Sequence, residues 1–122
     1  MLLINGLVLF PRLNPMYEYN IEIKRWIDGD TVDAVVDLGF FVSISVRFRI
    51  MEIDAPERGE QNFRKATDAA NKLYPPGTKI VVETKKSGSR DKYGRWLISL
   101  PELAKILVEQ NLLKPVPQVS IA

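Results

Sequence analysis

The stretch VSISVRFRI, residues Val42 to Ile50, alternates without a break: Val42, Ile44, Val46, Phe48 and Ile50 are apolar, while Ser43, Ser45, Arg47 and Arg49 are polar. Successive side chains of a β-strand point to opposite faces, so a period of two marks a strand with one face turned to a core. Arg49 then points away from that core. Upstream, Thr31 to Leu38 (TVDAVVDL) reads as a second strand, closed at Gly39, where positive φ carries no Cβ penalty. Before it, Ile21, Ile23, Trp26 and Ile27 suggest another. Downstream, Phe63, Ala66, Ala70 and Leu73 recur at helical spacing, so Asn62 to Leu73 reads as an amphipathic helix that ends in the Tyr-Pro-Pro-Gly turn at Tyr74 to Gly77.

Two further strands follow, Lys79 to Thr84 (KIVVET) and Trp96 to Leu100 (WLISL), rich in β-branched and large apolar residues. Pro101 sits where a proline opens a helix, and Leu103, Ile106, Leu107 and Gln110 continue one helical face until Asn111, which tolerates the left-handed position after a helix end. The order β-β-β-α-β-β-α suits an α+β fold: a five-stranded Greek-key barrel of the OB type, with a helix after the third strand and another after the fifth. Pro11 and Pro15 separate an N-terminal apolar arm, 1–16, from this barrel domain, 17–122.

A chain of 122 residues is long enough for one domain, which at this size buries roughly two-thirds of its unfolded surface. A net charge of +2 makes no case by itself for a polyanionic partner, so local clustering must carry it. Without cysteine there is no disulfide framework, and without histidine the commonest zinc ligand and general base are both missing. Acid–base work therefore falls to carboxylates, Lys, Tyr or water. The apolar start, Met1 to Phe10, lacks a basic flank and a small-residue cleavage site, and it is too short to span a bilayer. It reads as an extra strand or arm that packs on the domain or on a second copy, with no membrane partner and the cytoplasm slightly favoured.

Three clusters can carry chemistry. In WIDGDTV, Trp26 to Val32, the Asp-Gly pair is a strong turn signal, and both aspartates can be explained as turn residues; the spacing does not suit an EF-hand. In FRIMEIDAPE, Phe48 to Glu57, Asp54 and Glu57 lie three apart on a stretch bent by Pro56, with Arg49 five residues upstream of Asp54. A hard cation such as calcium takes oxygen ligands from carboxylates, carbonyls and water, which these residues can begin to supply, although a solvated strand end would also account for them. Between Lys85 and Arg95 five cations surround one acid and Tyr93. That loop is either a polar hairpin tip or a rim for phosphate, on which Arg95 can fork.

Taken together, IDGDTV, FRIMEIDAPE and DKYGR, in this order and with a helix between the second and third, resemble the staphylococcal nuclease (thermonuclease) family over about Tyr19 to Lys114. The resemblance implies an OB-type barrel that hydrolyses phosphodiesters of DNA and RNA with calcium; magnesium and manganese share the same oxygen preference. It implies Asp30 and Asp54 as carboxylate ligands with the backbone carbonyl of Ala55, where many relatives carry threonine. By the same resemblance Glu57 positions or deprotonates the attacking water, Arg49 and Arg95 grip the phosphate, and Lys92 and Tyr93 contact an adjacent one. Single-stranded nucleic acid is the favoured substrate.

The chain departs from the family after the last helix, where Pro117 and Val119 stand at about the place of a pair of base-stacking aromatics, and the loop after Glu57 shortens to Arg58 to Gln61. The apolar arm is expected to cover the surface that a third helix covers in some members, and it offers a contact for a homo-oligomer. The rival expectation is a non-catalytic module of the same family that holds nucleic acid or protein; a structural subunit is a third. Since Asp30, Arg49, Asp54, Glu57 and Arg95 are all present, catalysis is the leading expectation.

Overall fold

The structure, a computed structural model, describes residues 2–4, 7–9, 16–85 and 95–114. Its elements in chain order are strands β1 (Leu2–Ile4), β2 (Leu7–Leu9), β3 (Met16–Asp28), β4 (Thr31–Asp37) and β5 (Ser43–Ile50), helix α1 (Phe63–Leu73), strands β6 (Lys79–Lys85) and β7 (Trp96–Ser99), and helix α2 (Pro101–Glu109). Strands β3-β4-β5-β7-β6 close into a barrel, with β6 returning to pair with β3. The connections are antiparallel except β5 with β7, which run parallel, Phe48 opposite Trp96 and Ile50 opposite Ile98. This is the five-stranded OB-like barrel with two helices that the strand order implies. The apolar start forms a hairpin of its own, β1 with β2, outside the barrel sheet.

β3 runs longer than Ile21 to Ile27, because Met16 to Glu22 also pair with β6. Its apolar positions change parity between Ile23 and Trp26, and the pairing with β4 shifts register at that place. An extra residue there lets both Ile23 and Trp26 face inward; both are buried. Trp26 satisfies its indole N–H by donating to the Tyr74 carbonyl at 2.9 Å, which ties β3 to the end of α1.

Phe48 and Ile50 of β5 are buried with Ile21, Ile23, Val32, Ile98 and Leu103. The same inward face opens toward the other end: Val46 is half-buried, and Ile44 and Val42, expected in the core, are exposed. The hairpin tip beyond them carries Gly39, Phe40 and Phe41, all with positive φ, and both phenylalanines are fully exposed. The barrel is thus closed by helices at one end and carries an apolar rim at the other. Ala66 and Ala70 are the buried face of α1, Leu103 and Leu107 that of α2. Gln110, expected on that face, is exposed, while Asn111 takes the left-handed conformation with φ 55°. No helix among the described residues is long and apolar enough to cross a membrane.

Candidate metal and phosphate site

β4 pairs with β5 so that Thr31 lies opposite Arg49, and β5 pairs with β7 so that Arg49 lies opposite Leu97. Thr31, Arg49, Leu97 and, two residues earlier, Arg95 share the outer face, because Val32, Phe48, Trp96 and Ile98 take the inner one. The β3–β4 turn places Asp30 beside them. Gly29 does not need a left-handed φ there. It needs space: a Cβ would come within 2.9 Å of the Ala55 Cβ and 3.0 Å of the Ala66 Cβ. Glycine and two alanines thus let the turn, the 54–57 segment and α1 pack at close range, which brings Asp30 and Asp54 together.

Asp30 is 5% exposed, unusual for an aspartate. The Ala55 N–H donates to its Oδ2 at 2.7 Å, and the Thr31 hydroxyl donates to Oδ1 at 3.1 Å. Asp28 is the turn residue, its Oδ1 accepting from the Asp30 N–H at 3.0 Å. Arg49 Nη2 stands 3.3 Å from Asp30 Oδ2 and 3.6 Å from Asp54 Oδ1, while its Nη1 donates to the Ile50 carbonyl at 2.6 Å. Arg95 Nη1 donates to Thr31 Oγ1 at 3.3 Å and so joins the cluster through that hydroxyl. Burial pushes the Asp30 carboxyl up to about 7, the neighbouring Asp28 carboxylate adds to the rise, and the Ala55 N–H and Arg49 offset part of it.

The structure therefore brings together Asp30, Arg49, Asp54, Ala55 and Arg95. Glu57 stands at the edge, its side chain 71% exposed and Oε1 3.7 Å from Lys114 Nζ. Lys92 and Tyr93 lie outside the described residues. Two residues, Thr31 and Lys114, had no role at the site expected from the sequence. Thr31 could have been suspected from its place in the DGDT run. Lys114 could not, since it follows α2 by several residues and belongs to no motif.

The donor set has the chemistry for a hard cation. Two carboxylate oxygens already converge on one positive nitrogen, each carboxylate has further lone pairs, and the Ala55 carbonyl adjoins Asp54. Among the described residues no group of three or more Asp, Glu, His or Cys side chains is arranged to hold a metal ion by itself, so carbonyls and water would supply the rest of such a shell.

No protein-family model matches the sequence. Over 77 residues, 62% of this chain and 38% of the relative, it is 36% identical to Protein ParB of Escherichia coli. Over 76 residues, 62% of this chain and 44% of the relative, it is 33% identical to a protein of Escherichia coli O157:H7 named as an uncharacterized endonuclease. The chain spans about two-fifths of the length of these curated relatives.

Proposed function

We propose that this chain is a nuclease of the staphylococcal nuclease type, which hydrolyses phosphodiester bonds of DNA or RNA with calcium and little sequence preference. The observation that carries the reading is the convergence of Asp30 and Asp54 on Arg49, with Arg95 joined through Thr31. The name of the second relative, an endonuclease, points the same way.

Asp30, Asp54 and the Ala55 carbonyl would hold the metal ion, which when bound polarises a phosphoryl oxygen and lowers the pKa of water. The remaining work belongs to the chain. Glu57, well exposed and beside Asp54, takes a proton from the attacking water as its oxygen bonds to phosphorus. The bond from phosphorus to the leaving ester oxygen then breaks, and that oxygen takes up a proton from solvent water while Glu57 returns its own to solvent. Negative charge grows on the nonbridging oxygens, where Arg49 of β5 and Arg95, just before β7, meet it. Arg49 is held in advance by the Ile50 carbonyl and by the two aspartates, so little reorganisation accompanies the reaction.

Digestion of single-stranded DNA with calcium, with EDTA and with the Glu57→Gln variant tests this reading. Cutting that needs calcium and disappears in the variant is the expected result. DNA binding without cutting would instead assign the chain as a binding module.

A further inference from the structure

After α2 the chain turns at Asn111 and returns to the acidic segment. The Lys114 backbone N–H donates to the Asp54 carbonyl at 2.8 Å, which pins this return against the site. Its ammonium is then delivered among three carboxylates: 3.4 Å from Glu60 Oε1, 3.7 Å from Glu57 Oε1 and 3.9 Å from Asp54 Oδ1. These separations exceed a tight charged hydrogen bond, so the lysine is shared by all three rather than held by one. The Glu57–Glu60 turn is itself small and self-bonded, with the Glu57 N–H donating to Glu60 Oε1 at 2.7 Å and the Glu60 N–H to the Glu57 carbonyl at 2.9 Å.

Asp54, Glu57 and Glu60 repel one another, and Asp54 and Glu57 are both mostly exposed, with water ready to take either side chain. Arg49 Nη2 approaches the same Asp54 oxygen, Oδ1, at 3.6 Å and Asp30 Oδ2 at 3.3 Å. Among the described residues, the cation paired with Glu57 is Lys114.

We propose that Lys114 is a positioning residue that holds the Glu57 carboxylate next to Asp54 by bridging Asp54, Glu57 and Glu60. The inference rests on the reading of Glu57 as the water-activating group, but the placement of the turn is a separate matter and can be measured without catalysis. Lys114 touches neither water nor phosphate in this role. It acts through Glu57.

The test compares the wild-type chain with Lys114→Met and Lys114→Arg by thermal melting, by amide hydrogen exchange at Glu57 and Glu60, and by kcat and KM on single-stranded DNA with calcium. In Lys114→Met the backbone bond to Asp54 is kept and melting should stay close to wild type. Exchange at Glu57 should rise several-fold, kcat should fall about tenfold, as expected when a reacting group is misplaced, and KM should change little. Lys114→Arg should recover most of both effects. Unchanged exchange at Glu57 in Lys114→Met overturns the bridge, whatever the activity. Faster exchange with an unchanged kcat overturns its role in positioning. A wild-type chain that does not cut defeats the nuclease reading instead, and the exchange measurement then decides the bridge alone.

Discussion

Two aspartate–arginine pairs stand close together and are opposites: Arg47 and Arg49 lie two apart on β5, while Asp33 is on β4 and Asp30 in the turn before it. Asp33 of β4 faces Arg47 of β5, and Arg47 forks onto it with Nε at 2.7 Å and Nη2 at 3.0 Å, while Arg25 reaches it at 3.4 Å. Both side chains are largely wetted, 29% exposed for Asp33 and 49% for Arg47. The pair next to it is looser, with Arg49 3.3 Å from Asp30, but the side chains are only 18% and 7% exposed. The hydrogen bond from Arg47 holds the Asp33 carboxyl below the ordinary range, whereas burial pushes that of Asp30 up. Ideal geometry marks the surface fastener. Burial with incomplete pairing marks the place where charge is held ready for something else.

The largest effect should separate the two arginines. Arg49→Lys is expected to lose about 100-fold or more in turnover while folding normally, since a point charge cannot make the forked contact and loss of one such donor typically costs ~3 kcal/mol in the transition state. Arg47→Lys, read in the same DNA digestion, should cut at close to the wild-type rate. Equal losses would erase the distinction.

Calcium should sharpen it. At about 100 times the dissociation constant, a ligand bound by the folded state alone stabilises by ~2.7 kcal/mol, so calcium should raise the wild-type Tm and leave Asp30→Asn and Asp54→Asn unmoved. Asp33→Asn should respond as the wild type does. A Tm rise that survives both Asp30→Asn and Asp54→Asn would move the ion elsewhere.

Gly29→Ala tests the packing on which the buried pair depends. Its new methyl would meet Ala55 and Ala66 at 2.9 and 3.0 Å, so a loss of ~1–3 kcal/mol in denaturant unfolding is expected, typical of an overfilled core. A neutral outcome would mean that the turn, the 54–57 segment and α1 separate easily.

The smallest effect belongs to Asp33→Asn, which should cost less than ~1 kcal/mol because the pair is solvated. The pH dependence has a definite sign. Arg47 lowers the folded-state pKa of Asp33, so its contribution is present above the unfolded value of about 3.9 and is lost as pH falls through the lowered one. The stability gap between wild type and variant should therefore close in strong acid; a gap that widens there would contradict the pairing.

Much of the barrel was legible because its signals are local. The alternation from Val42 to Ile50, the apolar spacing in α1 and Asn111 after α2 each depend on a few neighbouring residues. The strand at Ile21, Ile23, Trp26 and Ile27 was legible too, although the register shift that turns both Ile23 and Trp26 inward shows only in the pairing with β4. What stayed hidden depends on distance. Nothing near Val42 or Ile44 says that the inner face opens into an apolar rim, because that depends on which strands end beside it. Asp30, Arg49 and Asp54 were readable as motif residues, but the burial of Asp30 and its bond from Ala55 are products of the closed fold. Lys114 reaches Asp54 from sixty positions away.

The parallel seam between β5 and β7 joins segments far apart in the chain. Between Arg49 and its neighbour Leu97 the chain carries α1 and β6. Joining segments so far apart imposes loop-closure entropy before any contact rewards it, which puts barrels of this kind among domains that fold in milliseconds to seconds. Until the seam zips, Arg95 is not presented beside Thr31, so a chain that has formed its helices and its first hairpin still lacks the assembled cluster.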